Sequence, residues 1–218
     1  MKMKVIFNYV GKGLEGTTFE SDWVLRHNVQ PLISDLEKSG KSKNIMIVDE
    51  LGAEWSKKEY MKLNQQLETE PENVILYFDG GFHKETNVAG IGVVVYYDKN
   101  GESYRYRRNN RLESIQHNNE AEYAALFEAL MSLEDIGVQH TVCEIKGDAQ
   151  GLIKQLQGEW PCYEATLNRW LDRIEEKINN LPVRASYSVI KRNQNKEAHQ
   201  LASQALEGKE IHSHKKQL

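Results

Sequence analysis

The sequence is poor in cysteine and has no long apolar run. Its two cysteines, Cys143 and Cys162, exclude a framework of disulfides and leave a zinc site without its usual thiolate ligands. The longest uncharged apolar run, from Gly90 to Tyr97, is far shorter than the roughly 20 residues of a membrane-spanning helix. The apolar stretch near the amino terminus breaks at Asn8, which argues against a secretory signal peptide. We therefore expect a cytoplasmic protein with two reduced thiols.

The sequence also lacks an excess of positive charge. Its 28 Lys and Arg residues stand against 32 Asp and Glu residues, for a formal net charge of −4. A protein that coats nucleic acid nonspecifically would be basic, so this class is disfavoured. An enzyme that holds nucleic acid locally stays open, because acidic metal ligands are neutralised once a metal binds. The 218 residues, 39% of them hydrophobic, suffice for one or two globular domains.

Residues 1–70 show the pattern of a small α+β domain. Ser56 followed by Glu59 predicts a capping box at the start of a helix. The charged stretch Glu68–Glu72 contains Pro71 and no apolar residue, which indicates a linker. The predicted elements are strands at Val5–Val10, Thr17–Val24 and Lys43–Val48 and helices at Val29–Lys38 and Ser56–Leu67.

Residues 71–208 predict a second, α/β domain. Three sequential strands are expected to pair antiparallel, and helical crossovers then add two parallel strands, for a mixed five-stranded sheet flanked by helices. The remaining residues, 209–218, form a polar tail that we expect to be frayed. The predicted strands are Val74–Phe78, Gly90–Tyr97, Ser103–Arg108, Thr141–Lys146 and Val183–Ile190, and the predicted helices are Glu120–Asp135, Gln150–Gln157, Tyr163–Asn179 and Asn195–Leu206.

Three carboxylates are expected to meet at one edge of this sheet. Asp79 and Asp148 each follow a predicted strand, and ligands bind where the carboxyl ends of parallel strands lie together. Glu122 lies in the first turn of a helix that can reach the same edge. Gly80 and Gly81 leave the approach of a polymer to Asp79 open. Taken singly, these acids also suit a turn or a helix start, but together they favour a site for Mg²⁺ or Mn²⁺.

Four motifs then resemble type 1 ribonuclease H, and specifically its reverse-transcriptase-like branch. They occur in the family's order, and the resemblance extends over about Asn73 to Leu206, roughly two-thirds of the chain. The motifs are Tyr77-Phe78-Asp79-Gly80-Gly81, Asn118-Asn119-Glu120-Ala121-Glu122-Tyr123, Gly147-Asp148-Ala149-Gln150 and Asn195-Lys196-Glu197-Ala198-His199-Gln200-Leu201-Ala202.

The resemblance implies hydrolysis of the RNA strand of an RNA–DNA hybrid with two metal ions, Mg²⁺ or Mn²⁺. Asp79 would bridge both ions, and Glu122 and Asp148 would complete their shells. One ion would lower the pKa of the attacking water, and the other would stabilise the leaving oxygen.

The same resemblance implies a set of substrate contacts in the RNA minor groove. Asn118, Asn119 and Gln150 match residues whose amides can bond 2′-hydroxyl groups, which distinguish RNA from DNA. Simple helix capping is the alternative role for Asn118 and Asn119.

One position departs from the family pattern. The family's last helix offers a fourth acid in an Asn-x-x-Ala-Asp pattern, and His199 stands at that position. A neutral imidazole brings no negative charge and suits Mn²⁺ better than Mg²⁺. The substitution is also compatible with a degenerate, inactive site, and Glu197 is no substitute because it faces another side of the helix. Arg192 and Asn193 occupy the place of the family's histidine-bearing loop.

Two arginines form a second candidate contact with nucleic acid. Arg105 and Arg107 share one face of a strand, opposite Tyr104 and Tyr106. They can contact phosphates, or they can line the solvated face of an edge strand. For Trp160 we expect core packing rather than stacking on a base or sugar.

The amino-terminal domain says little about function. Residues 1–72 hold ten Lys and Arg against twelve Asp and Glu, which fits poorly with a hybrid-binding domain. We expect Trp23 and Trp55 in its core, and a role in binding a protein partner or in dimerisation. The favoured function of the chain is a metal-dependent endonuclease acting on RNA–DNA hybrids. The alternatives are a catalytically silent nucleic-acid-binding or regulatory protein of the same fold, and a structure-selective DNA nuclease of the same superfamily.

Overall fold

The structure is a computed structural model that describes residues 2–11, 16–50, 52–68 and 70–217. The chain divides into two compact units, Met1–Leu67 and Glu68–Leu218. This division falls at the start of the predicted linker, of which Thr69 lies outside the described residues. Across the described ranges, no helix is both long and apolar enough to cross a membrane.

The first unit is an α+β fold built on a small sheet. The strands follow the order β2-β1-β4-β5, with β3 also paired to β1. The predicted capping box is confirmed, because Ser56 Oγ accepts from Glu59 N and Glu59 Oε2 accepts from Ser56 N. The elements are β1 Lys2–Tyr9, β2 Thr18–Glu20, β3 Val24–Leu25, α1 Arg26–Lys38, β4 Ser42–Asp49, β5 Glu54–Ser56 and α2 Lys57–Glu68.

The two tryptophans of this unit lie differently from each other. Trp23 is 45% exposed, so its predicted place in the core is wrong; Lys4 Nζ lies 5.0 Å from its ring centroid. Trp55 is half-buried against the core, and its Nε1 donates to Asp49 Oδ2 at 3.2 Å. The core is formed by Met3, Val5, Val29, Ile33, Ile47 and Tyr60.

The second unit contains the larger sheet, with strands in the order β10-β9-β6-β7-β8-β11. The pairs β6–β7 and β7–β8 are antiparallel, whereas β9 runs parallel to β6 and to β10, as expected for a mixed sheet. The elements are β6 Glu72–His83, β7 Val88–Lys99, β8 Glu102–Glu113, α3 Asn118–Ile136, β9 Thr141–Gly147, α4 Gln150–Leu156, α5 Ala165–Asn180, β10 Val183–Val189, a 3₁₀ turn Arg192–Gln194, α6 Lys196–Leu206 and β11 His212–Lys216.

The polar tail adds a sixth strand to the five that were predicted. Strand β11 pairs antiparallel with β8, from His212 opposite Arg108 to Lys216 opposite Tyr104, so the expectation of a frayed tail is wrong. The rings of His212 and His214 pack against Tyr106, with centroids 5.4 and 5.7 Å away. Residues 212–216 include no aliphatic residue that would predict a strand, and the packing of aromatic rings stabilises β11 instead.

Helices cover both faces of the larger sheet. On one face α3 and α5 enclose the main core, which includes Val93 and Val95 of β7. The side chain of Val94 points the other way and packs with Ala198 of α6. Helix α6 lies very close to the sheet, because a Cβ at Gly92 would stand 2.0 Å from Ala198 O. The larger sheet is therefore a middle layer, with its catalytic candidates at the edge between the two helical layers.

Candidate active site

The register of the parallel strands brings two of the candidate acids to one level. Strand β6 runs through Asp79 to His83, so Asp79 lies inside the strand. The prediction that Asp79 follows the end of the strand is therefore wrong. The neighbouring β9 ends at Gly147, and the last pair in the parallel register joins Tyr77 to Lys146. Asp79 and Asp148 each follow two residues later, and they are close enough for the charge of Asp148 to raise the pKa of Asp79.

Glu122 reaches this edge from α3. Its Oε2 accepts a hydrogen bond from Gly80 N at 3.2 Å. The helix can come so close because a Cβ at Gly80 would stand 2.3 Å from the carbonyl of Ala121. Gly81 has a similar packing role on the other face, where a Cβ would meet Leu206 Cδ1 at 3.2 Å. The two glycines thus position helices, whereas their predicted contact with substrate stays a prediction.

His199 completes the group from α6. Its Nδ1 lies 3.1 Å from Oδ2 of Asp79, a carboxylate in a residue only 3% exposed. Arg192 Nη2 lies 3.3 and 3.4 Å from the two ring nitrogens of His199. The histidine therefore stands where the sequence placed it, next to the central acid, and a guanidinium lies beside its ring.

Asn195 is a site residue that sequence reasoning treated only as the start of a helix. It is 1% exposed, and its Nδ2 donates to Asp148 Oδ1 at 2.6 Å and to Phe78 O at 2.9 Å. This one amide joins the end of β9 to the residue before Asp79. The signal was in the sequence, because Asn195 opens the fourth motif, but its partners depend on the packing of α6 on the sheet.

Burial and mutual repulsion both disfavour the ionised forms of the clustered carboxylates. Burial raises the pKa of Glu122 to about 8, and the charges of Asp79 and Asp148 add to this increase. Burial likewise raises the pKa of Asp79; the hydrogen bond from His199 opposes this, and the Asp148 charge adds to it. A divalent cation would supply the missing positive charge.

The donor set suits hard cations that keep part of their own shell. Among the described residues, no three His, Cys, Asp or Glu side chains are arranged to enclose one ion. Mg²⁺ is usually held by one or two carboxylates, with water and substrate phosphate as its other ligands. Asp79, Glu122 and Asp148 fit this kind of shared site, with His199 as a fourth candidate ligand.

The predicted minor-groove residues stand at the starts of α3 and α4. Asn118 and Asn119 are exposed in the first turn of α3, and Gln150 is exposed in the first turn of α4. The alternative of helix capping is wrong for both asparagines, because the N-cap is His117, whose Nδ1 accepts from Glu120 N. Their amides are therefore not occupied by capping.

The two arginines of β8 form ion pairs with a glutamate of α6. Arg105 Nη1 and Arg107 Nη1 lie 3.1 and 3.6 Å from Glu197 Oε1. Strand β8 is flanked by β7 and β11, so the alternative of a solvated edge strand is wrong. Their contact with phosphate stays a prediction.

Trp160 is 49% exposed, and its predicted place in the core is wrong. It lies in the connection between α4 and α5 rather than on a helix face, and Tyr163 in the same connection is 92% exposed. Two exposed rings in one connection are available to a ligand.

A mixed sheet of this order, with three carboxylates and a histidine at one edge, defines the class of ribonuclease H-fold proteins. A sequence profile described as reverse transcriptase-like matches residues 77–205. The chain belongs to this reverse transcriptase-like family.

The chain is similar to two curated proteins. It is 37% identical over 217 residues to uncharacterized protein YpeP of Bacillus subtilis, covering 99% of this chain and 96% of that protein. It is 30% identical over 131 residues to ribonuclease HI of Halobacterium salinarum, covering 60% of this chain and 63% of that protein.

Solved ribonucleases H share the fold of the second unit. RNase H1 from Halobacterium salinarum superposes with a TM-score of 0.53 at 28% identity, covering 62% of this chain and 98% of that chain. LC11-RNase H1 in complex with an RNA/DNA hybrid has a TM-score of 0.56 at 28% identity and the same coverage. These similarities confirm the predicted family and fold.

Proposed function

We propose that the protein is a divalent-metal-dependent endonuclease that hydrolyses the RNA strand of RNA–DNA hybrids. The observation that carries this proposal is the convergence of Asp79, Glu122 and Asp148 at a buried edge, where burial first and the two neighbouring charges second raise the pKa of Glu122 to about 8. Membership of the family supports a nuclease-type hydrolase, and the hybrid bound to LC11-RNase H1 supports the choice of substrate.

The chain's own residues would hold and orient the reacting groups. Asp79, Glu122 and Asp148 supply the carboxylates for Mg²⁺ or Mn²⁺. Gly80 N fixes the direction of Glu122, and Asn195 fixes that of Asp148. When bound, a pair of such ions lowers the pKa of an attacking water and stabilises the leaving oxygen.

Selection of the RNA strand would fall to the exposed amides. Asn118 and Asn119 stand one turn before Glu122 on α3, and Gln150 follows Asp148 at the start of α4. Amide groups can bond to the 2′-hydroxyls of RNA. We further propose that this activity is cytoplasmic and that the first unit binds a protein partner or dimerises.

The test is cleavage of an end-labelled RNA–DNA hybrid in Mg²⁺ and in Mn²⁺. We expect cleavage by the wild type, none by Asp79→Asn, and wild-type cleavage by the matched Asp135→Asn, whose carboxylate pairs with Arg108 on the surface. A wild type that binds the hybrid but cleaves nothing would instead establish the silent binding protein. The observation that favours this second candidate is that His199, which brings no negative charge, contacts Asp79 at the position where the family has a fourth acid. Preferential cleavage of branched DNA would establish a structure-selective DNA nuclease.

A further inference from the structure

The face of the sheet that carries α6 has a groove beside the candidate active site. The groove has a volume of about 240 Å³, and its lining includes Tyr77, Tyr96, Asn195 and Glu197. It shares Asn195 with the acidic edge, but Asp79, Glu122 and Asp148 do not line it. It is therefore a separate surface that opens next to the catalytic candidates.

Two tyrosines form the floor of this groove. Tyr77 and Tyr96 project from neighbouring strands on the α6 face, with ring centroids 6.0 Å apart and an interplanar angle of 86°. Both are only half-buried, so their rings offer apolar surface to a ligand. Lys146 Nζ lies 5.9 Å from the Tyr77 ring and 3.0 Å from Glu144 Oε2, so an ion pair borders the floor on the β9 side. A flat aromatic ligand would find stacking surface here.

The wall of the groove contains a buried polar atom without a partner. The two hydrogen bonds from Asn195 Nδ2, to Asp148 and to Phe78 O, fix the orientation of the amide and leave Oδ1 as a free acceptor. Such an atom in a residue 1% exposed is costly unless a ligand satisfies it. No side chain caps the first amides of α6, which begin at this wall. The wall thus offers one unpaired acceptor next to the start of α6.

The opposite wall contains the charged side chain of Glu197, and two arginines outside the groove lining lie beside it. Glu197 accepts from Tyr96 Oη at 2.5 Å and pairs with both Arg105 and Arg107, so two cations meet one anion. The Nε of Arg107 is buried and has no hydrogen-bond partner. The two ion pairs therefore leave one net positive charge behind Glu197, and a guanidinium can recognise phosphate.

We propose that this groove is a nucleotide-binding site outside the catalytic edge. The base stacks on the Tyr77 ring, meets the nearly perpendicular Tyr96 ring at its edge and donates an N–H to Asn195 Oδ1, while the phosphate lies toward Arg105 and Arg107. The volume, below the range of about 300–1,000 Å³ for drug-sized ligands, suits one nucleotide. The nucleotide is free, or it belongs to a single strand that leaves the catalytic edge.

The test measures binding of adenosine monophosphate and of a labelled tetra-adenylate to the full-length chain in the presence of a chelator. Stacking on one aromatic ring makes Tyr77→Leu weaken binding about tenfold or more, while Tyr77→Phe binds like the wild type. Arg107→Gln weakens binding severalfold. The matched controls, Tyr104→Leu and Arg108→Gln, lie on the other face of β8 and leave binding unchanged.

Binding of either ligand with this pattern of losses supports the proposal, and the two ligands separate a free nucleotide from a single strand. No saturable binding of either ligand to the wild type overturns it, as do equal losses in Tyr77→Leu and Tyr104→Leu. The chelator keeps the result independent of metal-dependent cleavage, so the groove and the proposed nuclease activity can fail separately.

Discussion

The two units of the chain each bury an aspartate, and the surroundings of the two carboxylates differ. Asp49 of the first unit is 6% exposed; its Oδ1 accepts from Ala53 N at 2.9 Å and its Oδ2 from Trp55 Nε1 at 3.2 Å. Asp79 of the second unit is 3% exposed and lies among two further carboxylates and a histidine. The same residue type thus accepts hydrogen bonds that stabilise a turn in one unit and belongs to a cluster of carboxylates in the other.

This difference gives a physical criterion that separates a candidate functional carboxylate from a structural one. Donors surround Asp49, so burial there is compensated by hydrogen bonds. Around Asp79, burial and the charge of Asp148 both oppose ionisation, and His199 only partly offsets them. An arrangement that is unfavourable without an added cation is typical of functional sites. The similarity to solved ribonucleases H covers 62% of the chain, in line with the size of the second unit.

The largest expected effect tests this contrast directly. Asp79→Asn should lower the rate of hybrid cleavage more than about a hundredfold, because residues that merely support metal ligands already contribute about 10–100-fold. Asp49→Asn should leave the rate within about twofold and instead lower the free energy of unfolding by about 1–3 kcal/mol. Cleavage rates and urea unfolding of both variants measure these effects. Equal rate losses in the two variants would remove the distinction between the units.

Asn195→Ala should have the next largest effect. The variant leaves Asp148 without its 2.6 Å partner and frees Phe78 O, so the carboxylates lose their mutual alignment. We expect about a 10–100-fold loss of activity and a higher Mg²⁺ concentration for half-maximal rate. The matched Asn64→Ala, a buried asparagine of the first unit that accepts from Arg26, should lower stability without changing the Mg²⁺ dependence. A Mg²⁺ titration of both variants decides; an unchanged Mg²⁺ requirement in Asn195→Ala would contradict the positioning role.

Much of this contrast was predictable from local sequence. Most of the order of strands and helices followed from hydrophobic periodicity. The three acids followed from their places after two predicted strands and in the first turn of a predicted helix, and three of the four family motifs contain them. Asp79 was nonetheless placed at a strand end, because Gly80 and Gly81 resemble a turn. In the structure these glycines continue β6 and admit α3 and α6, a packing reason that local pattern does not reveal.

The remaining differences come from contacts between residues distant in sequence. Strand β11 has no aliphatic alternation, and it forms because His214 packs on Tyr106 and bonds to the hydroxyl of Tyr97. The bridge made by Asn195 joins residues 117 and 47 positions away. Such contacts exist only once the sheet and α6 are assembled.

The pH dependence of stability sharpens the comparison further. The pKa of Glu122 is raised from 4.5 to about 8 in the folded protein, which therefore binds a proton more tightly than the unfolded chain. The metal-free wild type should lose stability as the pH rises from about 4.5 to about 8, by an amount on the order of a few kcal/mol. Glu122→Gln should remove most of this loss, and saturating Mg²⁺ should remove it from the wild type. Thermal melts in chelator at pH 5 and pH 9 check this; parallel pH profiles of wild type and variant would count against it.

The smallest expected effect concerns the residue that departs from the family pattern. His199→Asp places a fourth carboxylate next to Asp79, where the imidazole Nδ1 now lies 3.1 Å from Oδ2. We expect a severalfold rise in Mg²⁺-supported cleavage, because Mg²⁺ prefers oxygen ligands and imidazole suits Mn²⁺ better. The ratio of the Mg²⁺ to the Mn²⁺ rate should rise with it. His140→Asp, at an exposed position before β9, serves as the control for added negative charge. The neighbouring Arg192 can pair with the new carboxylate as well as it contacts the imidazole, so the substitution keeps this contact. A Mg²⁺-supported rate that is unchanged or lower in His199→Asp, with His140→Asp unaffected, would therefore show that the histidine has a role of its own.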